Sequence, residues 1–291
     1  GVNLAVQDAI AAANILAAKF KTGGLASVTR GHEDFTARDQ DGNTGPASNS
    51  ALSGSDQWAY AQAVYQPVEL VELRTGIRFD SHTAPFAGSQ HQFSPRIRLG
   101  VFPSSQTSIW AYYGRLFIPT NVEDLRAITS VAQGGVAAEP TLPERDHFFE
   151  LGLVHRFPWG VVTKLSAYHK RSTPGIDDNT VPGSAITTSV NIAQVTINGV
   201  EMVLEIRPPG RLSGYLNVAV NHAYGVGPIT GGFFPTDEPT GAFDLEHDQR
   251  VSAVATLNYA DQRNFVSVTG NYGSGLTNGE DPGSDYGTGL F

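Results

Sequence analysis

From Asp146 to Tyr224 the chain repeats one device: a long segment of alternating apolar and polar residues, a tight turn, and a second such segment. His147–Phe157 and Val161–Lys170 flank Pro158-Trp159-Gly160, and Ile192–Ile206 and Leu212–Tyr224 flank Pro208-Pro209-Gly210-Arg211. In the third segment Val200, Met202, Leu204 and Ile206 share one parity and Glu201 and Glu205 the other. In the fourth, Leu212, Leu216, Val218 and Val220 stand against Ser213, Tyr215, Asn217 and Asn221. Side chains of an extended chain point alternately to opposite faces, so a period of two specifies strands with one apolar and one polar face. The segments are also long. Strands of soluble proteins run to about 5–6 residues, whereas one that crosses a bilayer needs about 9–11. Long half-polar strands in series predict an all-β fold, an antiparallel transmembrane β-barrel.

The rest of the chain reads the same way. Residues 1–21 are read as two strands and Gly23–Phe35 as another, followed by a polar loop over Thr36–Ser55. Gln57–Gln66 and Leu70–Asp80 form a hairpin about Pro67, with Val71, Leu73, Thr75, Ile77 and Phe79 opposite Glu72, Arg74, Arg78 and Asp80. Phe93–Phe102 and Thr107–Arg115 turn at Pro103-Ser104-Ser105-Gln106, with Arg96 and Arg98 opposite Ile97, Leu99 and Val101. Val251–Tyr259 and Asn264–Tyr272 turn at Ala260-Asp261-Gln262-Arg263. Ser81–Gln92, Leu116–Arg145, Arg171–Asn191 and Gly225–Asp244 read as loops, and Gly273–Phe291 carries no strand pattern. The expectation is about twelve strands, with turns of roughly 2–5 residues on one side and connections of about 10–30 on the other, an asymmetry typical of outer-membrane barrels.

Composition narrows the function classes. Only 16% of residues are charged and 32 are Gly, which suits strands and turns better than helices. No apolar run of about 18 residues exists, which excludes a transmembrane helix; a barrel, whose alternation averages out, is untouched by that test. A net charge of −9 argues against nucleic acid as a partner. With no cysteine there is no disulfide, no thiolate metal site and no cysteine nucleophile. No GxSxG, HExxH or phosphate-binding loop occurs, so no enzyme activity, catalytic residue or cofactor is expected.

Several stretches resemble a known family. Tyr60-Ala61-Gln62-Ala63-Val64-Tyr65-Gln66-Pro67 followed by Leu73-Arg74-Thr75-Gly76-Ile77-Arg78-Phe79-Asp80 is similar to the "YxQDxWxP … LxxGxRYD" hairpin of TonB-dependent outer-membrane receptors. Phe93-Ser94-Pro95-Arg96 resembles their "SPRxG", and Tyr112-Tyr113-Gly114-Arg115-Leu116-Phe117-Ile118-Pro119-Thr120 their "SYGRxFRxP". Glu150-Leu151-Gly152-Leu153, Ala167-Tyr168-His169-Lys170-Arg171, Asn198-Gly199-Val200-Glu201, Glu246-His247-Asp248-Gln249-Arg250 and Tyr272-Gly273-Ser274-Gly275-Leu276 continue the match in the family's order. The resemblance implies a barrel of about 22 strands closed by an N-terminal plug. Residues 1–291 are then expected to be a single barrel-domain piece of a longer protein, the C-terminal part, with the plug and the TonB-contacting segment outside it.

The candidate site residues are the charges on the polar parity: Glu72, Arg74, Arg78, Arg96, Arg98, Glu150, Arg156, Glu201 and Glu205. They either line a substrate path or form a polar wall against the plug, held by cross-strand ion pairs. His32-Glu33-Asp34, Glu246-His247-Asp248, Asp177-Asp178 and Glu280-Asp281 have metal-ligating chemistry, but polar strand ends and acidic loop tips are the commoner reading, and no metal site is assigned. Tyr60, Tyr65, Phe79, Phe102, Phe157, Trp159, Tyr168, Tyr224, Tyr259 and Tyr272 fall near strand ends, where aromatic girdles or ordinary strand aromatics would both place them. The resemblance implies an outer-membrane receptor for TonB-dependent uptake of a scarce nutrient, of iron-siderophore, cobalamin or glycan type. Its partners would be outer-membrane lipid, the plug, TonB and a small-molecule ligand. Leu116–Arg145, Arg171–Asn191 and Gly225–Asp244 are the candidate ligand-gripping loops. The alternatives are a soluble, secreted carbohydrate-binding module and a passive porin-like channel.

Overall fold

A computed structural model describes residues 21–35, 48–84, 88–120, 140–180, 187–231 and 241–277. The alternating segments pair with their sequence neighbours. The strands are β1 (Lys21–Phe35), β2 (Ser48–Val68), β3 (Val71–Ala84), β4 (Gly88–Ser104), β5 (Thr107–Ile118), β6 (Glu144–Arg156) and β7 (Val161–Ser172). They continue with β8 (Gly175–Thr180), β9 (Thr187–Ile206), β10 (Leu212–Thr230), β11 (Ala242–Asp244), β12 (Val251–Ala260) and β13 (Phe265–Gly273). All lie in one antiparallel sheet whose path runs β1-β2-β3-β4-β5-β6-β7-β9-β10-β12-β13. The path is open, so the described strands form part of a barrel wall.

Two of the thirteen described strands, β8 and β11, are continuations of others. β8 resumes the ladder of β7 along β9, where Ser172 faces Val195 and Gly175 faces Ile192. β11 likewise precedes β12 along β10, and residues 245–250 loop out between them.

Register decides the faces. One row crosses eight strands as Leu73, Leu99, Ala111, Leu151, Ala167, Val200, Val220 and Val251. The next row on the same face reads Val71, Val101, Ile109, Leu153, Leu165, Met202, Val218 and Ala253. Among the described residues this face carries no second layer: Ile97 and Leu99 are each 44% exposed and Leu151 60%. Rows of bare aliphatics across a sheet would aggregate in water, whereas hydrocarbon is their natural neighbour. The soluble carbohydrate-binding alternative, built as a sandwich, would need two packed sheets, and the described strands make one.

The opposite face holds the packed cluster, Trp110, Tyr112 and Phe148 with Leu116, Val154 and Tyr168 against them. Its rings lie across glycines of adjacent strands. A Cβ on Gly152 would fall inside the Trp110 indole, and one on Gly199 inside the Tyr168 phenol ring. These positions need glycine because an aromatic covers them.

Several expected loops are strand. Ser48–Ser55 belongs to β2, and most of Ser81–Gln92 to β3 and β4, which stay paired up to Ala84 and Gly88. Gly225–Thr230 extends β10, and Arg171–Asn191 contains the end of β7, all of β8 and the start of β9. These extensions continue the ladder on the long-loop side, where glycines, prolines and polar residues interrupt the apolar alternation that marks a strand in sequence. The two strands expected within residues 1–21 lie outside the described residues apart from Lys21.

The short turns are tightly tied. Asp261 Oδ1 accepts the N–H groups of Arg263 (2.8 Å) and Asn264 (2.7 Å) between β12 and β13. Those backbone donors, Arg263 first, hold its carboxyl below the ordinary range. A depressed carboxyl contributes stability above its unfolded pKa of about 3.9 and loses it as pH falls through the folded value. Protection of the Arg263 and Asn264 amides from hydrogen exchange is therefore expected to be full at neutral pH and to fall in acid, as it does at neutral pH in Asp261→Ala. For the glycine pairing, Gly152→Ala is expected to destabilise the protein in detergent by about 1–3 kcal/mol in urea melts. In a Trp110→Ala background the same change should cost close to nothing; an undiminished cost would rule out the ring as its cause.

Candidate functional site

All nine sequence-chosen charges share the polar face. Glu72 heads a row that continues Gly100, Trp110, Gly152, Ser166 and Glu201. Arg74, Arg98, Tyr112, Glu150, Tyr168 and Gly199 form the next. Gly76 and Arg96 face each other, as do Arg78 and Ser94. Arg156 and Glu205 take the same parity at the short-turn end.

Two groups of ion pairs organise this wall. Glu72 accepts both Arg74 Nε (2.6 Å) and Arg74 Nη2 (3.0 Å), and Arg98 Nη1 stands 3.6 Å from the same carboxylate. Arg98 also lies over the Trp110 ring at 5.4 Å, with Lys164 over it at 5.9 Å. Arg78 donates to Asp80 at 2.7 Å and covers Trp58 at 4.7 Å. Further along, Glu201 accepts Asn217 Nδ2 at 2.9 Å. At the rim, by contrast, Glu205 pairs with Arg207 at 3.0 Å in an open setting, 41% and 78% exposed.

Sequence reasoning missed the aromatic half of the wall and its lysines. Trp110, Tyr112 and Phe148 have the parity of the charges, and that parity was the available signal. Lys170 Nζ sits 2.5 Å from Glu144 and 3.2 Å from Asp146, and the second oxygen of Glu144 accepts Ile176 N at 2.8 Å. This buried group ties β8 to β6 at the long-loop end. Of the aromatics expected near strand ends, Tyr65, Phe79, Tyr224, Tyr259 and Tyr272 have the apolar parity. Tyr60, Phe102 and Tyr168 have the polar parity, so they belong to the wall rather than to a lipid-facing girdle. Phe157 and Trp159 meet at a short turn, 5.1 Å between rings.

The metal-like clusters resolve into local contacts. His222, Asp244 and Asp248 bring ligand atoms within 4.8 Å of one another. Arg250 lies among them, 2.7 Å from Asp244 and 2.6 Å from Asp248, and His222 Nε2 is 2.9 Å from Asp244. His222 first, then Arg250, hold the Asp244 carboxyl below its ordinary range. The guanidinium thus supplies the positive charge that a cation would bring. Asp248 also accepts Ala223 N at 3.0 Å, which pins residues 245–250 to β10. Glu246 and His247, flagged beside Asp248, are exposed. Burial raises the Asp177 carboxyl, offset first by the Asp178 N–H at 2.9 Å. Of His32-Glu33-Asp34 only the backbone, in β1, is described; Glu280-Asp281 lies outside the described residues, as do 121–139, 181–186 and 232–240 of the candidate gripping loops.

A wall of paired charges and flat rings has the chemistry to orient polar or amphiphilic surfaces. Glu72 is an enclosed charge, at 11% side-chain exposure between two guanidiniums. Glu72→Gln is expected to destabilise the folded protein by about 1–3 kcal/mol, because it leaves Arg74 and Arg98 opposed without a carboxylate. Glu205→Gln should stay within about 0.5 kcal/mol. Equal effects in denaturant titrations of the two variants would contradict this ranking.

Comparison with known proteins agrees with this geometry. The family model "TonB dependent receptor-like, beta-barrel" matches residues 9–289. Among solved structures, the ferric yersiniabactin uptake receptor FyuA from Yersinia pestis superposes with a TM-score of 0.64 at 12% identity, over 87% of this chain and 39% of that one. The FrpB iron transporter from Neisseria meningitidis gives 0.55 at 16% identity, over 76% and 32%. The copper transporter OprC gives 0.56 at 15% identity, over 84% and 39%. The chain therefore spans well under half the length of these structures. Comparison with curated proteins produced no match.

Proposed function

The chain belongs to the TonB-dependent receptor-like β-barrel family, and from that premise we propose that it forms part of the outer-membrane barrel of a Gram-negative importer for a scarce metal-bearing nutrient. TonB, a plug domain and the nutrient are its partners in this reading. The observation that carries it is the division of faces. Ile97, Leu99 and Leu151 are exposed on one face, and Glu72, Arg74, Arg78, Arg96, Arg98, Glu150 and Glu201 share the other, with Arg156 and Glu205 at its short-turn end; in this reading the first face meets lipid and the second lines the lumen.

The wall's energetics suit a scaffold. Its carboxylates are matched by arginines, lysines or amides, which keeps a charged surface stable at the centre of a membrane protein. The inward rings give it flat surfaces for packing. A metal chelate is favoured over cobalamin or a glycan by the iron, ferric-siderophore and copper importers that share the fold. No energy source lies in such a wall, so net import requires coupling to the inner membrane through TonB.

Cells expressing the protein that carries this chain are expected to take up a ferric or cupric chelate under metal limitation, and to lose that uptake when TonB is deleted. Uptake that persists without TonB would make the barrel a passive channel. A chain that stays monomeric in plain buffer and does not float with vesicles would refute the membrane placement.

A further inference from the structure

We propose that Asp146 is a proton-binding residue: it holds a proton beside Ser172 and Glu144, and loss of that proton loosens the attachment of β8 to β6. Asp146 and Glu144 lie two residues apart on one face of β6, at its long-loop end, and both are buried, Asp146 completely. One cation serves the two. Lys170 Nζ is 2.5 Å from Glu144 Oε1 and 3.2 Å from Asp146 Oδ2. Glu144 has further support, since its Oε2 accepts the Ile176 N–H at 2.8 Å. Asp146 has none: neither of its oxygens finds a hydrogen-bond partner, and the buried Ser172 Oγ directly across the ladder is also without one.

The neighbouring elements bring no second cation. On β5 the residue facing Asp146 is Leu116, with Gly114 and Ile118 on either side of it. Phe148 follows on β6, across from Lys170 on β7. On β8 the charges around Asp177 are those of His247, Glu246 and Asp178. Arg115, Arg145, His147 and Arg171 have the opposite parity, and Arg115 and Arg145 reach Gln92. Two buried carboxylates and one ammonium therefore leave one negative charge unbalanced. Carboxylates sharing a site do not both ionise readily, and the proton goes to the one with fewer donors, which is Asp146. Burial pushes its carboxyl up, Lys170 draws it back, and the Glu144 charge raises it again. As an acid, Asp146 supplies the O–H donor that Ser172 Oγ or Glu144 can accept. Ionised, it competes with Glu144 for Lys170 in a site that solvates neither. Among the described residues the Ile176 N–H to Glu144 is the one hydrogen bond between β8 and β6, so opening there is the shortest way to bring water to the charge. A carboxyl raised on folding contributes stability that is full below its unfolded value of about 3.9 and is lost as pH rises through the folded value.

The test is infrared spectroscopy and amide hydrogen exchange on the full-length protein that carries this chain, in detergent, with aspartate isotope-labelled at its side-chain carboxyl. A protonated aspartic-acid band is expected in mildly acid buffer. It should titrate away as the pH is raised past neutral and be missing throughout in Asp146→Asn. Over the same range the Ile176 protection factor should fall by about tenfold for each unit by which folding raises the carboxyl, and stay level in Asp146→Asn. Glu144→Gln leaves Lys170 to Asp146 alone, so the band should be lost in neutral buffer although Asp146 is still present; this variant carries the test if Asp146→Asn does not fold. No band in the wild type, or one that survives in Asp146→Asn, overturns the site. A band undiminished in Glu144→Gln overturns the sharing of one cation, and Ile176 protection that does not follow the wild-type band overturns the coupling to β8. Both readouts are taken without any nutrient, so a barrel that imports nothing would leave them standing.

Discussion

A peptide group in hydrocarbon has no water to bond, and each unpaired N–H or C=O there costs several kcal/mol. A strand meets that demand only through a neighbour on each side. This is why the described strands follow sequence order almost without exception and why neighbours pair over long ladders, interrupted at shifts such as Tyr65/Val68 and Val226/Ile229. Once the ladders are set, a period of two sorts every side chain, and a slip of one residue would send Arg74 and Arg98 to lipid and Leu73 and Leu99 to the lumen.

The polar face is more than a solvated surface. Its charges are bridged across neighbouring strands, as between Arg98 and Glu72, or along one strand, as between Arg74 and Glu72 or Arg78 and Asp80. Between them lie rings that cover glycines: Trp110 on Gly152, Tyr168 on Gly199. Small residues under large ones let adjacent strands stay at ladder distance while the wall remains filled, so packing and pairing are satisfied by the same residues.

The two ends of the sheet differ in kind. Short turns such as that at Asp261 are held by local backbone donors to one carboxylate. At the other end the ladders run on past the apolar belt and are tied by longer-range contacts: Lys170 between Glu144 and Asp146, and Arg250 between Asp244 and Asp248. Acids and their cations turn inward there, and Arg115 and Arg145 reach across to Gln92, which has the parity of Ser94 and Asp80.

Alternation in Leu70–Asp80, Phe93–Phe102 and Ile192–Ile206 was enough to determine, from sequence alone, strand identity, hairpin pairing and which charges share a face, because a period of two is a local property of an extended chain. It did not reveal the strand extensions at Ser48–Ser55, Ser81–Ala84 or Gly225–Thr230, where glycine, proline and polar residues break the alternation. Nor did it show that Tyr168 packs over Gly199 rather than facing lipid, that Arg250 fills the His222–Asp244–Asp248 cluster, or that two arginines meet at Gln92. Those depend on which residues lie opposite one another across strands far apart in the chain. Register and packing set that, and they exist only once the sheet has formed.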